Sequence, residues 1–256
     1  MSKQAQGRTL FIADLHLAEE RPQASGRFFH FLETVAAGAD ALYILGDLFE
    51  YWAGDDDAGS PLARRAAERI SALTAAGTAV CFMHGNRDFL LAQRYAGACG
   101  MRLLGDPTIV DLYGTPTLLL HGDSLCTDDR GYQRFRKLTR QPLIRGALLA
   151  LPLGWRHAMA RSARAGSERA KRGKASAIMD VNPEAVAAAF RQSGAVRMIH
   201  GHTHRPARHA LALDGLARER WVLPDWYGAG GYLSCGAQGC ELLPAPSPAS
   251  GSVKDS

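Results

Sequence analysis

The sequence predicts an α/β fold carrying a helical insertion, and three observations lead there. Short apolar runs recur along the 256 residues, each ending in polar residues. Helix-compatible stretches separate them, which is the pattern of a sheet built from alternating strands and helices. One strongly basic segment, from about residue 130 to 180, carries no strand signal at all. A chain of this length suits one large domain with an insertion, and its 46% hydrophobic content is enough to bury a core. Disorder, collagen-like repeats and small disulfide scaffolds are excluded on the same grounds.

In chain order, a first strand over residues 9–13 runs into Asp14, and a helix follows over 25–37. A second strand over 41–45 ends in Gly46-Asp47. The next helix, 61–76, opens with Pro61 behind Ser60, a proline at the first helical position after a capping residue. A third strand over 78–83 leads into His84-Gly85-Asn86, followed by a helix over 88–98. A fourth, 117–120, ends in His121-Gly122-Asp123. Beyond the basic segment, Pro183 after Asn182 starts a helix over 183–192, and a fifth strand over 196–199 ends in His200-Gly201-His202. Buried strands read as continuous apolar runs, so these five are expected at the centre of a sheet. Their polar ends then share one edge, where open α/β sheets hold ligands. Residues 208–213, 219–223 and 231–234 read as antiparallel strands joined by Gly-rich turns. The Pro/Ser/Gly tail from 244 to 256 is expected to be disordered.

Charge is unevenly spread. The net charge is +5, but residues 130–174 hold 13 basic side chains and one acid, and the remainder holds 17 basic and 24 acidic residues. The insertion is therefore +12 and the body −7. The five cysteines, Cys81, Cys99, Cys126, Cys235 and Cys240, form no CxxC pair. An odd count without pairing motifs fits reduced thiols in a cytosolic protein. The N-terminus lacks the pattern of a signal peptide. The longest apolar stretch, residues 146–155, is about half of what a membrane span needs. A soluble or peripheral protein is expected.

The strand ends supply Asp14, His16, Asp47, Asn86, Asp88, His121, Asp123, His202 and His204. Carboxylates mixed with imidazoles suit a divalent transition cation better than Mg or Ca. His84 and His200 still lie inside their apolar runs and read as core or supporting residues. His30, His157 and His209 have no convergent context.

The ordered set D-x-H, G-D, G-N-x-D, H-G-D and G-H-x-H, from Asp14 to His204, resembles the calcineurin-like metallophosphoesterases. Within them, IADLHL, ALYILGDLFEYW, HGNRDFLL, HGDSLCTDDRGYQ, AIMDVN and IHGHTHRPA are similar to the UDP-2,3-diacylglucosamine diphosphatase family of bacterial lipid A synthesis. The resemblance implies an αββα two-sheet sandwich over residues 1–243, with a helical cap at about 130–180 and the tail beyond. It implies two divalent cations, usually Mn²⁺. One would be held by Asp14, His16, Asp47 and His204, the other by Asp47, Asn86, His121 and His202. Asp47, Asn86, Arg87 and His121 would carry the reaction. Asn86, Arg87, Asp129, Ser167, Lys171, Lys174 and His202 would contact substrate, although the family usually has Asn where this chain has Lys171. The implied reaction is water attack on the uridine-side phosphorus of UDP-2,3-diacylglucosamine, giving UMP and 2,3-diacylglucosamine 1-phosphate. The implied location is the cytoplasmic face of the inner membrane, in peripheral contact with anionic lipid and with no obligate protein partner.

Two features belong to this chain's own residues. Most of the broader family has His after the Asn, whereas this chain has Arg87. Arginine does not give up a proton near neutral pH but binds phosphate bidentately, which suits a diphosphate over a simple monoester. Residues 143–155 are largely apolar and lie between basic stretches, with Trp155 among them. That combination fits a lid over acyl chains or a surface meeting anionic lipid. The alternative is a helical pair whose apolar side packs on the sandwich while its cations are solvated. Few aromatics accompany the charge, which disfavours nucleic acid.

Overall fold

The computed structural model describes residues 7–173 and 180–247, and of residues 164–173 the backbone alone. The chain alternates β1 (Thr9–Ile12), α1 (Pro22–Phe31), β2 (Ala41–Leu45), α2 (Pro61–Ala75), β3 (Ala79–Met83), α3 (Gln93–Cys99) and β4 (Arg102–Leu104). A hairpin follows, β5 (Thr108–Leu112) and β6 (Thr115–Leu119), and then three helices, α4 (Arg130–Thr139), α5 (Pro142–Ala150) and α6 (Leu153–Gly173). The chain closes with α7 (Pro183–Ser193), β7 (Arg197–His200), β8 (Ala207–Leu213), β9 (Leu216–Val222), β10 (Gly231–Gly236) and β11 (Gly239–Pro244). Ser60 Oγ accepts from Ala63 N at 3.1 Å, and Asn182 Oδ1 from Glu184 N and Ala185 N, so both expected caps form. Helix α3 starts later than expected because Asp88 is not its cap. Asp55, far away in sequence, accepts from Ala92 N and Tyr95 N at 2.9 Å each and starts the helix there.

The five apolar runs do not share one sheet, which corrects the single-edge reading. β1, β2 and β3 are parallel neighbours in a six-stranded sheet of order β11-β10-β1-β2-β3-β4. β6 and β7 are parallel neighbours in a second sheet of order β5-β6-β7-β9-β8. The tight turn at Tyr113-Gly114, both at positive φ, sends the chain back antiparallel to β5 and starts the new sheet. A run's apolarity records its burial, not its pairing partner. Phe11, Leu45, Met83, Leu119, Ile199, Leu223 and Leu233 fill the space between the sheets. α1, α2 and α3 cover the outer face of the first sheet, burying Phe28, Phe31, Ile70 and Tyr95. α7 covers the second through Val186 and Phe190. The result is the expected four-layer αββα arrangement, with both groups of parallel strands delivering their C-terminal ends to one region.

Three further expectations change. Cys235 and Cys240 face each other across the β10–β11 hairpin and are joined as a disulfide, while Cys81, Cys99 and Cys126 are free and buried. The tail begins later than residue 244: Pro244 pairs with Gly231, and Ala245 is buried with its N–H donated to Gly230. Not all of the insertion's positive charge is solvated. Arg136 and Arg140 pair with Asp106 and Asp123, and Arg156 is buried against Asp56 and the Ala53 carbonyl. Several of its apolar residues are exposed: Leu143 is 88% and Trp155 68% accessible, with Phe135, Leu138, Leu149 and Met159 also exposed, while Ile144, Leu148, Leu151 and Leu153 are half-buried. The apolar side of the insertion is thus divided, part of it against the sandwich, where Leu149 approaches Gly54, and part outward.

Candidate metal centre

The ends of β1, β2 and β7 turn through backbone that L-residues seldom adopt. Asp14, His16, Asp47, His202 and His204 all have φ between 50° and 70°. The other non-glycine residues at positive φ among the described ones are Tyr113 and Asp214, each in a hairpin turn before a glycine. Left-handed backbone is costly and persists where the surroundings impose it, commonly at functional sites. Here it lets consecutive side chains reach one point. Glycine makes the approach possible: a Cβ on Gly85 would lie 2.0 Å from Asp47 Oδ1, and one on Gly201 would lie 2.3 Å from Asp14 Oδ2.

Asp14 Oδ1 lies 3.5 Å from His204 Nε2 and 4.0 Å from His16 Nε2. Asp47 Oδ2 lies 3.8 Å from both His16 Nε2 and His121 Nε2. Two ligand-like groups result, Asp14–His16–His204 and Asp14–Asp47–His121, each with its atoms within 4.8 Å of one another. Asn86 Oδ1 is 3.1 Å from His121 Nε2, and the His202 ring stands 5.0 Å from that of His121. Asp14, His16, Asp47 and His121 are buried, at 0–2% exposure.

Several polar atoms here make no hydrogen bond among the described residues: Asp14 Oδ1 and both ring nitrogens of His16 are buried without one. Buried polar atoms are nearly always satisfied, so Asp14 Oδ1 and His16 Nε2, 4.0 Å apart, fit a cation between them, while His16 Nδ1 faces Glu50. The donor set of carboxylate, imidazole and carboxamide is also what a divalent metal takes. His121 Nδ1 lies 2.8 Å from the Leu45 carbonyl and donates to it, leaving Nε2 for the cluster. Burial lowers the pKa of His16 to about 3, against the Asp14 charge. Burial likewise lowers His202 to about 3, assisted by the charge of His121. Both imidazoles are thereby kept neutral, the form that binds metal. Burial raises Asp47 to about 7 against the pull of His121. For His121 burial acts downward, but the charges of Asp47, Asp123 and Asp14 carry the net value up to about 9.

Supporting residues that the motifs left unassigned surround this cluster. Glu50 stands 3.7 Å from His16 Nδ1 and 3.1 Å from Arg21, and Tyr227 stacks on the His16 ring at 4.7 Å. Asp88 accepts from Gly85 N at 2.8 Å and Leu48 N at 2.7 Å, tying the loops after β2 and β3 together. Its carboxylate thus serves backbone amides, and no ion pair joins it to Arg87 among the described residues. Asp123 accepts from Tyr132, Arg136 and Arg140, and Arg140 also donates to the Gly85 carbonyl at 3.1 Å. Through these bonds α4 is fastened to two of the site's loops. A carboxylate that follows Gly in HGD, with arginines one helix later, is the sequence signal for this network.

Of the expected substrate contacts, Asn86, Arg87 and His202 lie at the cluster's loops. Asp129 is the N-cap of α4, accepting from Tyr132 N at 3.2 Å. Ser167 and Lys171 belong to the stretch of α6 known from backbone alone, and Lys174 lies outside the described residues. His84 Nε2 donates to the Leu91 carbonyl at 2.6 Å, and His200 is buried with Nε2 accepting from Arg220 at 3.0 Å, so neither joins the cluster.

The calcineurin-like phosphoesterase family model matches residues 7–206. A UDP-2,3-diacylglucosamine hydrolase of Serratia proteamaculans is 49% identical over 238 residues, covering 93% of this chain and 99% of its own length. Another, from Aromatoleum aromaticum, is 51% identical over 224 residues, covering 88% and 91%. Among solved structures, an archaeal phosphodiesterase superposes with a TM-score of 0.47 at 9% identity, covering 93% of this chain and 99% of that one.

Proposed function

Because this chain belongs to the calcineurin-like phosphoesterases, and within them to the UDP-2,3-diacylglucosamine hydrolase family, we propose that it splits the pyrophosphate bond of UDP-2,3-diacylglucosamine. Attack falls on the uridine-side phosphorus, and the products are UMP and 2,3-diacylglucosamine 1-phosphate. The observation that carries this reading is the convergence of Asp14, His16, Asp47, His121 and His204, with orphaned buried atoms, at the ends of strands from both sheets. Asp14, His16, Asp47 and His204 would hold one divalent cation, and Asp47, Asn86, His121 and His202 the other, with Mn²⁺ the favoured ion. A cation pair at such a site lowers the pKa of water and draws charge from a phosphoryl oxygen.

The chain's own groups supply the rest. Asn86 and His202 orient the phosphoryl group at the cluster. Arg87 neutralises charge on the departing sugar phosphate, a weak base that needs no proton. Its guanidinium is not committed to Asp88, whose oxygens serve backbone amides. Arg87→His is expected to reduce diphosphate cleavage far more than p-nitrophenyl phosphate cleavage, and equal losses contradict that role. The exposed Leu143, Leu149, Trp155 and Met159 support contact with acyl chains and with the inner membrane surface. No helix among the described residues is long and apolar enough to cross a membrane. Asp129, Ser167, Lys171 and Lys174 complete the proposed substrate contacts at the insertion.

The direct test incubates purified protein with UDP-2,3-diacylglucosamine and Mn²⁺, with and without a chelator. UMP released only without chelator is expected. No UMP under any divalent cation overturns the proposal.

A further inference from the structure

Thr203 lies between His202 and His204, and beneath it, on the α7 side of the second sheet, is a cavity of about 230 Å³. Asp180, Thr203, Arg205, Pro206, His209 and Arg220 line most of it. Two of its polar groups lack the partners such groups normally have. The Thr203 hydroxyl is buried without a hydrogen bond among the described residues. Arg220 is 9% exposed, with Nη1 donating to His200 Nε2 at 3.0 Å, and no carboxylate pairs with it among the described residues. The charge of Asp180 reaches Arg220, but the Asp180 carboxylate is bound to Arg205. A buried arginine whose neighbouring acid is bound to another cation gains from further acceptors.

We propose that this cavity is the nucleoside subsite, receiving the uracil ring of the substrate, with Arg220 and Thr203 donating to its carbonyl oxygens. This rests on the reading that the uridine-side phosphorus is the one attacked at the metal cluster. The nucleoside is bonded to that phosphorus through its ribose, so the base must lie close to the loop of His202–His204. The cavity opens on that loop. Its size is below the roughly 300–1,000 Å³ of pockets for drug-sized ligands and fits one ring rather than a whole nucleotide. Its chemistry is donor-rich, with Pro206, Ala207 and Val222 offering apolar faces to a flat ring. An acyl chain would leave the two donors unmet. Uracil presents carbonyl oxygens at both sides of its ring N–H. Cytosine replaces one of them by an amino donor, which Arg220 opposes, and a site built to hydrogen-bond an oxygen discriminates strongly against its absence.

The test is calorimetric binding of UMP, CMP, uridine and inorganic phosphate to the Mn²⁺-loaded protein and to Arg220→Met and Thr203→Val. UMP is expected to bind at least about tenfold more tightly than CMP and than phosphate, with uridine binding measurably on its own. Arg220→Met should remove most of the UMP-over-CMP preference. Thr203→Val, which replaces the hydroxyl by a methyl of the same size, should weaken UMP several-fold and serves alone if Arg220→Met does not fold. Equal affinity for UMP, CMP and phosphate in the wild type overturns the subsite, as does a UMP preference that both variants retain. Failure to hydrolyse UDP-2,3-diacylglucosamine strikes the proposed activity instead, because the binding preference is read without turnover.

Discussion

The strand-end loops and the helical insertion break the usual rule of burial in opposite directions. The loops bury carboxylates and imidazoles, some with atoms that make no hydrogen bond among the described residues, largely on left-handed backbone. The insertion exposes leucines, a methionine and a tryptophan that a folded chain ordinarily hides. Buried polar groups and exposed apolar patches are the informative departures from the hydrophobic rule. The first marks a site where the scaffold fixes charge before any ligand arrives. The second marks a surface completed by something apolar. Where the two regions meet, Asp106, Asp123, Arg136 and Arg140 form a clamp, so the insertion is joined to the centre by charge and turns apolar side chains outward.

The sharpest way to break this contrast is at the loops. Asp47→Ala is expected to lower kcat more than about a thousandfold, since in the proposed reaction metal activation of water supplies the chemistry. Elemental analysis should find fewer than two metals per chain, and two retained metals with near-normal turnover contradict the bridging role. Gly85→Ala adds only a methyl group, but it must displace Asp47. A shift of about 1 Å at a reacting centre costs on the order of a hundredfold, so kcat should fall by about that much with the chain still folded by circular dichroism. Arg136→Met tests the clamp. Removing one partner of a buried ion pair costs about 3–5 kcal/mol, and with Arg140 still on Asp123 a loss of about 2 kcal/mol is expected in urea unfolding. A loss below about 0.5 kcal/mol, the size of an ordinary surface change, removes the clamp from the account. At the insertion the expectation reverses. Leu143→Glu with Trp155→Glu should leave stability within about 0.5 kcal/mol, because both side chains are already exposed. The same pair should raise KM for the acylated substrate and reduce sedimentation with anionic vesicles.

How much of this was legible in the sequence follows the same division. The loops were legible because each ligand type directly follows an apolar run, and Asp14, His16, Asp47, Asn86, His121 and His204 come together as that pattern implies. The assignment of runs to sheets was not, because β3 and β6 carry similar apolar runs while a single hairpin decides that they pair apart. Short β4 and β5 each hold only two consecutive apolar residues, Leu103-Leu104 and Ile109-Val110, too short a run to read. Asp55 capping α3, Glu50 behind His16 and the Asp106–Arg136 pair depend on contacts between distant segments, which local pattern does not encode. In the insertion the total charge was legible but not its division. Arg136, Arg140 and Arg156 turn inward to acids contributed by the sandwich, so they do not add to the outward positive surface. The disulfide also escaped notice, since Cys235 and Cys240 come opposite each other only through the register of β10 and β11.

The central claim is that the buried cluster delivers water to the uridine-side phosphorus of an acylated nucleotide sugar. Hydrolysis of UDP-2,3-diacylglucosamine in heavy-oxygen water with Mn²⁺, followed by mass spectrometry of both products, tests it most directly. The label is expected in UMP and not in 2,3-diacylglucosamine 1-phosphate. Label in the sugar phosphate, or no cleavage at all, contradicts the account.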